Sequence, residues 1–250
     1  MHAFSLLHDD IMDNDRTRRG RPAAWVVFGV GAALLTGDAL FALAMQVVAN
    51  SGASAVMSAV ADALVGLSWG QAEDARFEQE TTVSVPDYLA MIAAKTGAVM
   101  ELSCTIGATL TDAPADLVKG LRRIGHHLGL GFQVVDDALG IWGDPAVTGK
   151  PAHSDLIRRK KTLPILAALA SGTPEGGELA TLLAADGDLD GVTIARCAAL
   201  VDQAGGRARA HQQAKWHHCQ ALQALAVLRL PDQTDTSWRA VINYLTDRIC

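Results

Sequence analysis

Aromatic side chains are scarce in this sequence: they make up 5% of its 250 residues, although half of the residues are hydrophobic. β-Sandwiches and β-barrels are usually rich in aromatic and β-branched residues, so this scarcity favours helices packed on helices. The hydrophobic half can form a large core without disulfides or metal ions. We therefore predict an all-α fold in a single domain over residues 1–250.

Positive charge is also scarce: the chain has 21 lysines and arginines but 27 acidic residues, so its formal net charge is -6. A chain without a basic surplus has no general affinity for nucleic acid, although basic residues concentrated in one place can still bind a phosphate. The four cysteines lie far apart and form no C-x-x-C pair. This spacing indicates reduced thiols and predicts a cytoplasmic protein.

Long uninterrupted hydrophobic runs are missing. The most apolar stretch, residues 23–49, is interrupted by Gly29, Gly31, Gly37 and Asp38, whereas a membrane-spanning helix needs about 20 consecutive and mainly apolar residues. The first residues carry neither a basic segment nor a small-residue cleavage site, so they do not resemble a signal peptide. We expect no stable membrane insertion.

Apolar residues recur at spacings of three and four along most of the chain, which is the period of a helix. The pattern predicts a helix end over residues 4–15 and helices over Val30–Asn50, 53–80, Val85–Leu110, 113–142, 161–170 and 191–228. Ser84 and Asp112 are the predicted helix starts, because short polar side chains cap helix N-termini. A basic loop at residues 16–22 and a longer polar loop at residues 143–161 remain.

A cluster of acidic residues lies near the beginning of the chain, in the segment His8-Asp9-Asp10-Ile11-Met12-Asp13. On a helix, Asp9, Asp10 and Asp13 share one face at about 5–6 Å between neighbouring Cβ atoms, so their charges repel. Bound cations explain this arrangement, and carboxylate oxygens select hard ions such as Mg²⁺. The alternative is a solvated acidic helix end.

A second acidic pair, Asp136-Asp137, ends the apolar segment that contains Gln133, and Asp144 follows after a turn. Two acidic clusters on separate helices could hold several Mg²⁺ ions around one diphosphate. Basic residues accompany both clusters: Arg16, Arg18, Arg19, Arg21, Lys95, Lys150, Arg158, Arg159, Lys160 and Lys161. A single basic residue is usually a solvated charge, but carboxylates, Mg²⁺, phosphate and arginine together form an alternating set of charges. The adjacent histidine pairs point in different directions on a helix, which disfavours joint metal binding.

Residues 4–164 resemble the trans-isoprenyl diphosphate synthase, or polyprenyl synthetase, family, and most of all its bacterial geranylgeranyl diphosphate synthases. The matching motifs are, in chain order, Asp9-Asp10-x-x-Asp13 with Arg18-Arg19-Gly20, Gly70-Gln71-x-x-Asp74, Lys95-Thr96-Gly97, Gly131-Phe132-Gln133-x-x-Asp136-Asp137, Gly143-Asp144, Thr148-Gly149-Lys150, Asp155-Leu156 and Lys161-Thr162-Leu163-Pro164. So many ordered matches make coincidence a poor explanation.

The resemblance implies an isoprenoid-synthase-type bundle around a central apolar cavity, a homodimer, and condensation of an allylic diphosphate with isopentenyl diphosphate. It implies Mg²⁺ ligands at Asp9, Asp13 and Asp136. Further catalytic residues by this resemblance are Asp10, Lys95, Thr96, Gln133, Asp137 and Lys150. Substrate-binding residues are Arg18, Arg19, Lys95, Thr96, Gln133, Lys150 and Lys161. Phe4 and Ser5, five and four residues before Asp9, resemble the length-determining positions of synthases that make the twenty-carbon geranylgeranyl product.

Two departures from the family pattern stand out. The family's third aspartate of the second motif is replaced by Gly140, and we expect Asp144 to take over part of its role through water. Only eight residues precede Asp9, where the family has several helices and a Gly-Lys-Arg segment that binds isopentenyl diphosphate. We expect the chain to be a shortened version of a longer protein, the alternative being a partner that completes the cavity.

Two other functions remain open. A class I terpene cyclase uses the same Mg²⁺-dependent ionisation, but it has no second diphosphate to hold, so the Arg18-Arg19 pair and the loop at residues 143–161 favour chain elongation. A non-catalytic or partner-dependent subunit of a prenyl synthase is the other alternative. Turnover by the purified chain alone distinguishes them.

Overall fold

A computed structural model describes residues 1–149 and 151–246. Its helices are α1 (His2–Met12), α2 (Ala24–Phe28), α3 (Val30–Asn50), α4 (Ser54–Gln79), α5 (Val85–Ile92), α6 (Ala98–Leu110), α7 (Ala115–Trp142), α8 (Pro145–Thr148), α9 (Ser154–Ile157), α10 (Leu163–Leu169), α11 (Pro174–Ala184), α12 (Gly191–Gln203), α13 (Gly206–Leu228) and α14 (Asp232–Thr246). A π-helical turn, Ala93–Gly97, joins α5 to α6. The short strands β1 (Thr17–Arg18) and β2 (Arg21–Pro22) pair in the predicted basic loop. The all-α prediction is confirmed.

The chain forms two compact units. The first consists of Met1–Ser58 and Asp144–Ala152, and the second of Ala59–Gly143 and His153–Cys250. The single-domain description stays a prediction.

In the first unit, α1 packs against α3 through aromatic rings and a glycine. A Cβ atom on Gly37 would lie 2.2 Å from His8 Nε2, so only glycine leaves room for that ring. The same His8 nitrogen lies 3.2 Å from the Leu34 carbonyl oxygen, and the rings of Phe4 and Phe41 meet edge to face with centroids 5.4 Å apart. These contacts fix the helix that carries the first acidic cluster.

In the second unit, α7 packs against several helices and closely approaches α6. Glycines make this approach possible: a Cβ on Gly125 would lie 2.6 Å from Glu101 Cα, and one on Gly129 would lie 2.7 Å from Gly97 Cα. On its other side, α7 packs against α13 and α14 in a core that includes Ile124. Burying each such aliphatic side chain contributes about 1.5–3 kcal/mol.

The predicted helix boundaries were wrong in a few places. Asp112 has φ 50° in a left-handed turn, and α7 begins after Pro114 instead, whose fixed φ suits a helix start. The predicted helix over residues 191–228 is interrupted at Gly205, which has φ 85° and ends α12. Ser84 does cap α5, accepting a hydrogen bond from the Asp87 N–H at 3.2 Å.

Two helical stretches, Val30–Asn50 and Val85–Leu110, are long and apolar enough to cross a membrane by length and composition alone. The second of these packs along α7 and carries Lys95 in its middle, and 28% of its most apolar window is buried. In the first, only 11% of the most apolar window is buried, so its apolar surface is largely exposed in a single chain. The absence of membrane insertion stays a prediction.

Two histidines from different helices form a buried pair that the adjacent-histidine argument did not foresee. His127 Nδ1 on α7 lies 3.1 Å from His217 Nδ1 on α13, so one ring nitrogen donates and the other accepts. Burial, together with the charge of nearby histidines, lowers the pKa of His127 to about 4 and that of His217 to about 3. Both rings are therefore neutral in the folded protein.

We expect acid to weaken the fold through this pair. The two histidines bind protons near pH 6.5 in the unfolded chain but stay neutral at that pH in the folded chain. The free energy of unfolding therefore falls between pH 6.5 and 4, by up to about 1.4 kcal/mol per pH unit for each histidine. Urea unfolding followed by circular dichroism at pH 7, 6 and 5 measures the slope. A His127→Phe/His217→Leu variant should flatten it, whereas His211→Gln, at an exposed histidine, should not. An unchanged slope in the double variant would refute this assignment.

Candidate active site

The end of α1 and the following hairpin are joined by an ion pair. Asp10 is 3% exposed and accepts a hydrogen bond from Arg18 Nε at 2.8 Å and another from a terminal nitrogen of the same guanidinium. Asp9 and Asp15 lie 3.8 and 3.9 Å from that guanidinium. Burial alone would lower the pKa of Arg18, but the hydrogen bonds and charge of Asp10 outweigh it and raise that pKa. Asp10 and Arg18 therefore hold the hairpin against α1.

Asp9 and Asp13 are the more accessible carboxylates of this cluster, since both are partly exposed. Asp13 ends α1, and its N–H donates to the Asp9 carbonyl oxygen at 2.8 Å, so the helical spacing continues as far as Asp13. Residues four apart lie on one helix face. The structure thus keeps these two predicted ligands side by side.

The tip of the hairpin contacts the loop that precedes Lys150. Arg19 and Gly20 both have positive φ, 52° and 72°, which is the conformation of a tight two-residue hairpin turn. Gly149 lies against this tip, because a Cβ atom there would be 2.9 Å from the Gly20 nitrogen. Arg19 is exposed. Lys150 itself lies outside the described residues.

The two predicted length-determining residues lie in the first turn of α1. Phe4 is half-buried, between the ring of Phe41 on α3 and the ring of His8, whose centroid is 6.0 Å away. Ser5 donates its hydroxyl to the His2 carbonyl oxygen at 2.9 Å. Phe4 is thus a packed side chain at a defined place.

In the second unit, the Gly70-Gln71-x-x-Asp74 motif meets the Lys95-Thr96-Gly97 motif. Lys95 Nζ lies 2.7 Å from Asp74 Oδ2. A Cβ on Gly70 would lie 2.3 Å from the Lys95 backbone nitrogen, so glycine allows α4 to touch the π-helical turn. The wider turn and this ion pair together set the direction of the lysine side chain.

A chain of hydrogen bonds continues from the π-helical turn to the second acidic pair. Thr96 donates its hydroxyl to Gln133 Oε1 at 2.8 Å, and the Gln133 amide donates to Asp137 Oδ1 at 3.1 Å. Asp137 Oδ2 also accepts from the Tyr88 hydroxyl and from the Leu163 N–H, the latter at 3.1 Å. Asp137 therefore links α5, α7 and α10.

The two adjacent aspartates have opposite environments. Asp137 is buried, and burial raises its pKa to about 7, with a contribution from the charge of Asp155; the hydrogen bonds from Tyr88 and Gln133 act in the other direction. Asp136 is exposed at the surface of α7. Only Asp136 presents its carboxylate to solvent and to ligands.

Several charged residues of the long polar loop are held by contacts within the protein. Arg159 donates to the carbonyl oxygens of Ala185 and Gly187 at 2.8 and 2.7 Å and so holds the turn before α12. Lys161 is half-buried, and burial together with the charge of Arg159 lowers its pKa. Asp144 accepts a hydrogen bond from the Ala146 N–H at 2.8 Å and caps α8.

The predicted ligands suit one particular mode of Mg²⁺ binding. Within residues 1–149 and 151–246, no group of three or more His, Cys, Asp or Glu side chains is placed to hold a metal ion. Mg²⁺ does not require such a cage, since it usually keeps several waters and binds one or two carboxylates together with substrate phosphates. The oxygen donors of Asp9 and Asp13 in the first unit, and separately those of Asp136 in the second unit, fit this mode.

Tyr88 belongs to the site region although sequence reasoning did not select it. It is one of only two tyrosines, and it lies inside an apolar helix. A tyrosine in such a place needs a buried partner for its hydroxyl, which is the signal that could have identified it. An apolar groove of about 560 Å³ between α6, α7 and α14 contains none of the predicted site residues.

The sequence pattern of the polyprenyl synthetase family matches residues 1–199. This chain belongs to the polyprenyl synthetase family. Geranylgeranyl diphosphate synthase of Mycobacterium tuberculosis is 47% identical over 210 residues, which are 82% of this chain and 60% of that protein. A (2E,6E)-farnesyl diphosphate synthase of the same species is 39% identical over 99% of this chain and 71% of that protein.

Among solved structures, geranylgeranyl pyrophosphate synthase from Corynebacterium glutamicum, in complex with isoprenyl diphosphate and magnesium, superposes with a TM-score of 0.92 at 27% identity. The match covers 99% of this polyprenyl synthetase and 76% of that chain. The predicted family and the predicted isoprenoid-synthase-type helical fold are confirmed. The roles of the individual site residues stay predictions.

Proposed function

We propose that this polyprenyl synthetase is a trans-prenyltransferase that condenses an allylic diphosphate with isopentenyl diphosphate and releases diphosphate, with geranylgeranyl diphosphate as its product. The observation that carries the proposal is the arrangement around Asp136. Neighbouring motif residues anchor one another in the protein, and the exposed carboxylate of Asp136 is left for a ligand. If Asp136 only stabilised α7, its position would not need to be fixed by the hydrogen bonds of the neighbouring motif residues.

The residues of the chain have distinct parts in this reaction. Asp9, Asp13 and Asp136 would hold Mg²⁺, which would neutralise the charge that develops on the leaving diphosphate. The Lys95 ammonium, which lies beside Asp74, would donate to a phosphate oxygen. Arg19, exposed at the hairpin tip, provides a planar fork for the second diphosphate.

In the proposed reaction, the allylic carbon–oxygen bond breaks and its electron pair leaves with the diphosphate. Fixed cationic groups stabilise that charge without reorganising. The double bond of isopentenyl diphosphate then forms the new carbon–carbon bond, and loss of a proton restores a double bond. An apolar wall must exclude water from the cation during these steps. The activities of the two mycobacterial relatives, and the isoprenyl diphosphate and magnesium of the Corynebacterium complex, support this assignment.

The test is incubation of the purified chain with Mg²⁺, isopentenyl diphosphate and allylic diphosphates of increasing length, with products identified by mass spectrometry. A longer linear diphosphate that requires Mg²⁺ and is absent with Asp9→Ala is the expected result. A cyclic hydrocarbon would establish the cyclase instead. No product from any allylic diphosphate would contradict the proposal for this chain.

We expect Phe4→Ala to lengthen the product. The Phe4 ring fills space between Phe41 and His8, and its removal opens room at one end of the helix turn before Asp9. The main product should gain at least one five-carbon unit, measured by mass spectrometry after a fixed reaction time. Met12→Ala, at an exposed side chain on the same helix, is the control. An unchanged length would exclude Phe4 as a length determinant.

We also propose that a second copy of the chain covers the exposed apolar face of α2 and α3. Phe28 is 73% exposed and Leu35 70%, and Leu43 and Val47 extend the same surface. Apolar patches of this kind mark interfaces, and two-fold dimers are the commonest way to cover them. A soluble dimer of this kind fits a cytoplasmic enzyme.

The dimer is tested by size-exclusion chromatography with light scattering. The wild type should have twice the chain mass of 26.3 kDa. Leu35→Glu should give a monomer, because a carboxylate in an apolar interface is costly to desolvate. Val192→Glu, at an 81% exposed valine on α12, should remain a dimer. A monomeric wild type would disprove the proposed interface.

A further inference from the structure

The hairpin that carries Arg19 is too short to hold its own position. Its strands β1 and β2 contain two residues each, and an isolated two-stranded hairpin is at best marginally stable in water. Arg19 lies in the turn between the strands, with φ 52°. The direction in which Arg19 points therefore depends on the contacts that fix the hairpin from outside.

The hairpin is held at three places. Arg18 on β1 pairs with Asp10 on α1, and the tip lies against Gly149. At the base, the Ala23 N–H donates to the Arg16 carbonyl oxygen at 2.9 Å and closes the hairpin. The base joins the hairpin to α1 on one side and to α2 on the other, so a contact there orients the hairpin as a whole.

Trp25, in the first turn of α2, provides such a contact. Its indole N–H donates to the Asp15 carbonyl oxygen at 2.7 Å. The guanidinium of Arg16 lies over the same ring, 5.6 Å from its centroid, which is the distance of a cation–π contact. Asp15 is itself buried, and its N–H donates to the Asp10 carbonyl oxygen at 2.8 Å. One side chain thus ties α2 to both residues that lead into β1.

Packing in a core does not explain a tryptophan at this place. The helix α2 has five residues, and none of them is buried. Trp25 is half-buried, and its hydrogen bond goes to the backbone of Asp15. A bond to the backbone fixes the path of the chain itself, two residues before β1 begins.

We infer that Trp25 is a positioning residue, which holds the hairpin at the angle from which Arg19 reaches the diphosphate of isopentenyl diphosphate. This inference rests on the proposed function, in which Arg19 binds that group. Without the indole N–H, the hairpin keeps the ion pair between Arg18 and Asp10, but its base is looser and Arg19 samples more directions. Binding of isopentenyl diphosphate is then weakened, whereas binding of the allylic diphosphate is not.

The test is the steady-state kinetics of Trp25→Phe, which keeps an aromatic ring and removes the N–H donor. The KM for isopentenyl diphosphate should rise about three- to ten-fold, the effect of losing one hydrogen bond. The kcat and the KM for the allylic diphosphate should stay at their wild-type values, because a rise in one KM alone reports lost binding of that substrate. Trp25→His, which has a ring N–H of its own, should restore part of the affinity.

A double variant tests whether Trp25 acts through Arg19. In an Arg19→Ala background, Trp25→Phe should raise the KM for isopentenyl diphosphate no further. Val27→Ala, at a 56% exposed side chain on the same helix, should change neither KM. Each variant is assayed well below its thermal midpoint, so that unfolding does not contribute.

Three results would overturn the inference alone: an unchanged KM for isopentenyl diphosphate in Trp25→Phe, an equal rise in both KM values, or a further rise in the Arg19→Ala background. A wild type that forms no longer diphosphate from any allylic diphosphate would overturn the proposed function, and this inference with it.

Discussion

Replacing Asp136 with alanine is expected to reduce prenyl transfer by about a hundred- to a thousand-fold, the loss that follows removal of one preorganised group from a charge-stabilising site. The side chain is exposed, and within the described residues it has no hydrogen bond or ion pair to lose. Its removal should therefore leave the fold intact. The defect should appear in turnover, measured at saturating isopentenyl diphosphate by release of diphosphate.

A matched control variant tests whether the loss of activity comes from the site or from a general disturbance of α7. Asp116→Ala removes an exposed carboxylate from the other end of α7 and should leave turnover within about two-fold, since surface substitutions away from special features change stability by about 0.5 kcal/mol or less. Excess Mg²⁺ should restore part of the Asp136→Ala activity if the ion is bound more weakly. Full activity without added metal would remove Asp136 from the proposed site.

Much of the fold was predictable because its helices bury strong periodic stripes. Val30–Asn50 and Val85–Leu110 have the predicted bounds, as their apolar residues keep the helical spacing over the whole length. By contrast, α14 was missed: its buried residues are Ile242 and Thr246, so the pattern carries little signal. The interruption at Gly205 was missed because a glycine within an apolar repeat can also be tolerated inside a helix.

The motifs of the site were predictable from the sequence, but which aspartate of each pair is buried and which is accessible was not. Asp9 and Asp10, like Asp136 and Asp137, are identical neighbours in the sequence. Successive helical residues differ by about 100° in direction, because a turn contains 3.6 residues. One of each pair therefore faces the protein and the other does not, and only packing decides which. Gly140 leaves room for the carboxylate of Asp155, fifteen positions later, and no local pattern joins the two residues.

The same geometry predicts the opposite result for the neighbouring carboxylate. Asp137→Ala should lower the free energy of unfolding by about 3–5 kcal/mol, because each buried donor left without an acceptor costs about 1–3 kcal/mol. Tyr88 and Leu163, both fully buried, would lose their acceptor, and Gln133 would lose one as well. The contacts between α5, α7 and α10 depend on this one side chain.

Urea unfolding at pH 7.5, followed by circular dichroism, measures the effect, with Asp136→Ala as the matched neighbour that should unfold at the wild-type midpoint. Tyr88→Phe should cost only about 1 kcal/mol, because one hydrogen bond is lost while Asp137 keeps its other donors. Loss of activity in Asp137→Ala should follow the unfolded fraction and recover on cooling. Equal midpoints for Asp136→Ala and Asp137→Ala would show that this network does not hold the helices together, and that the two aspartates differ in exposure alone.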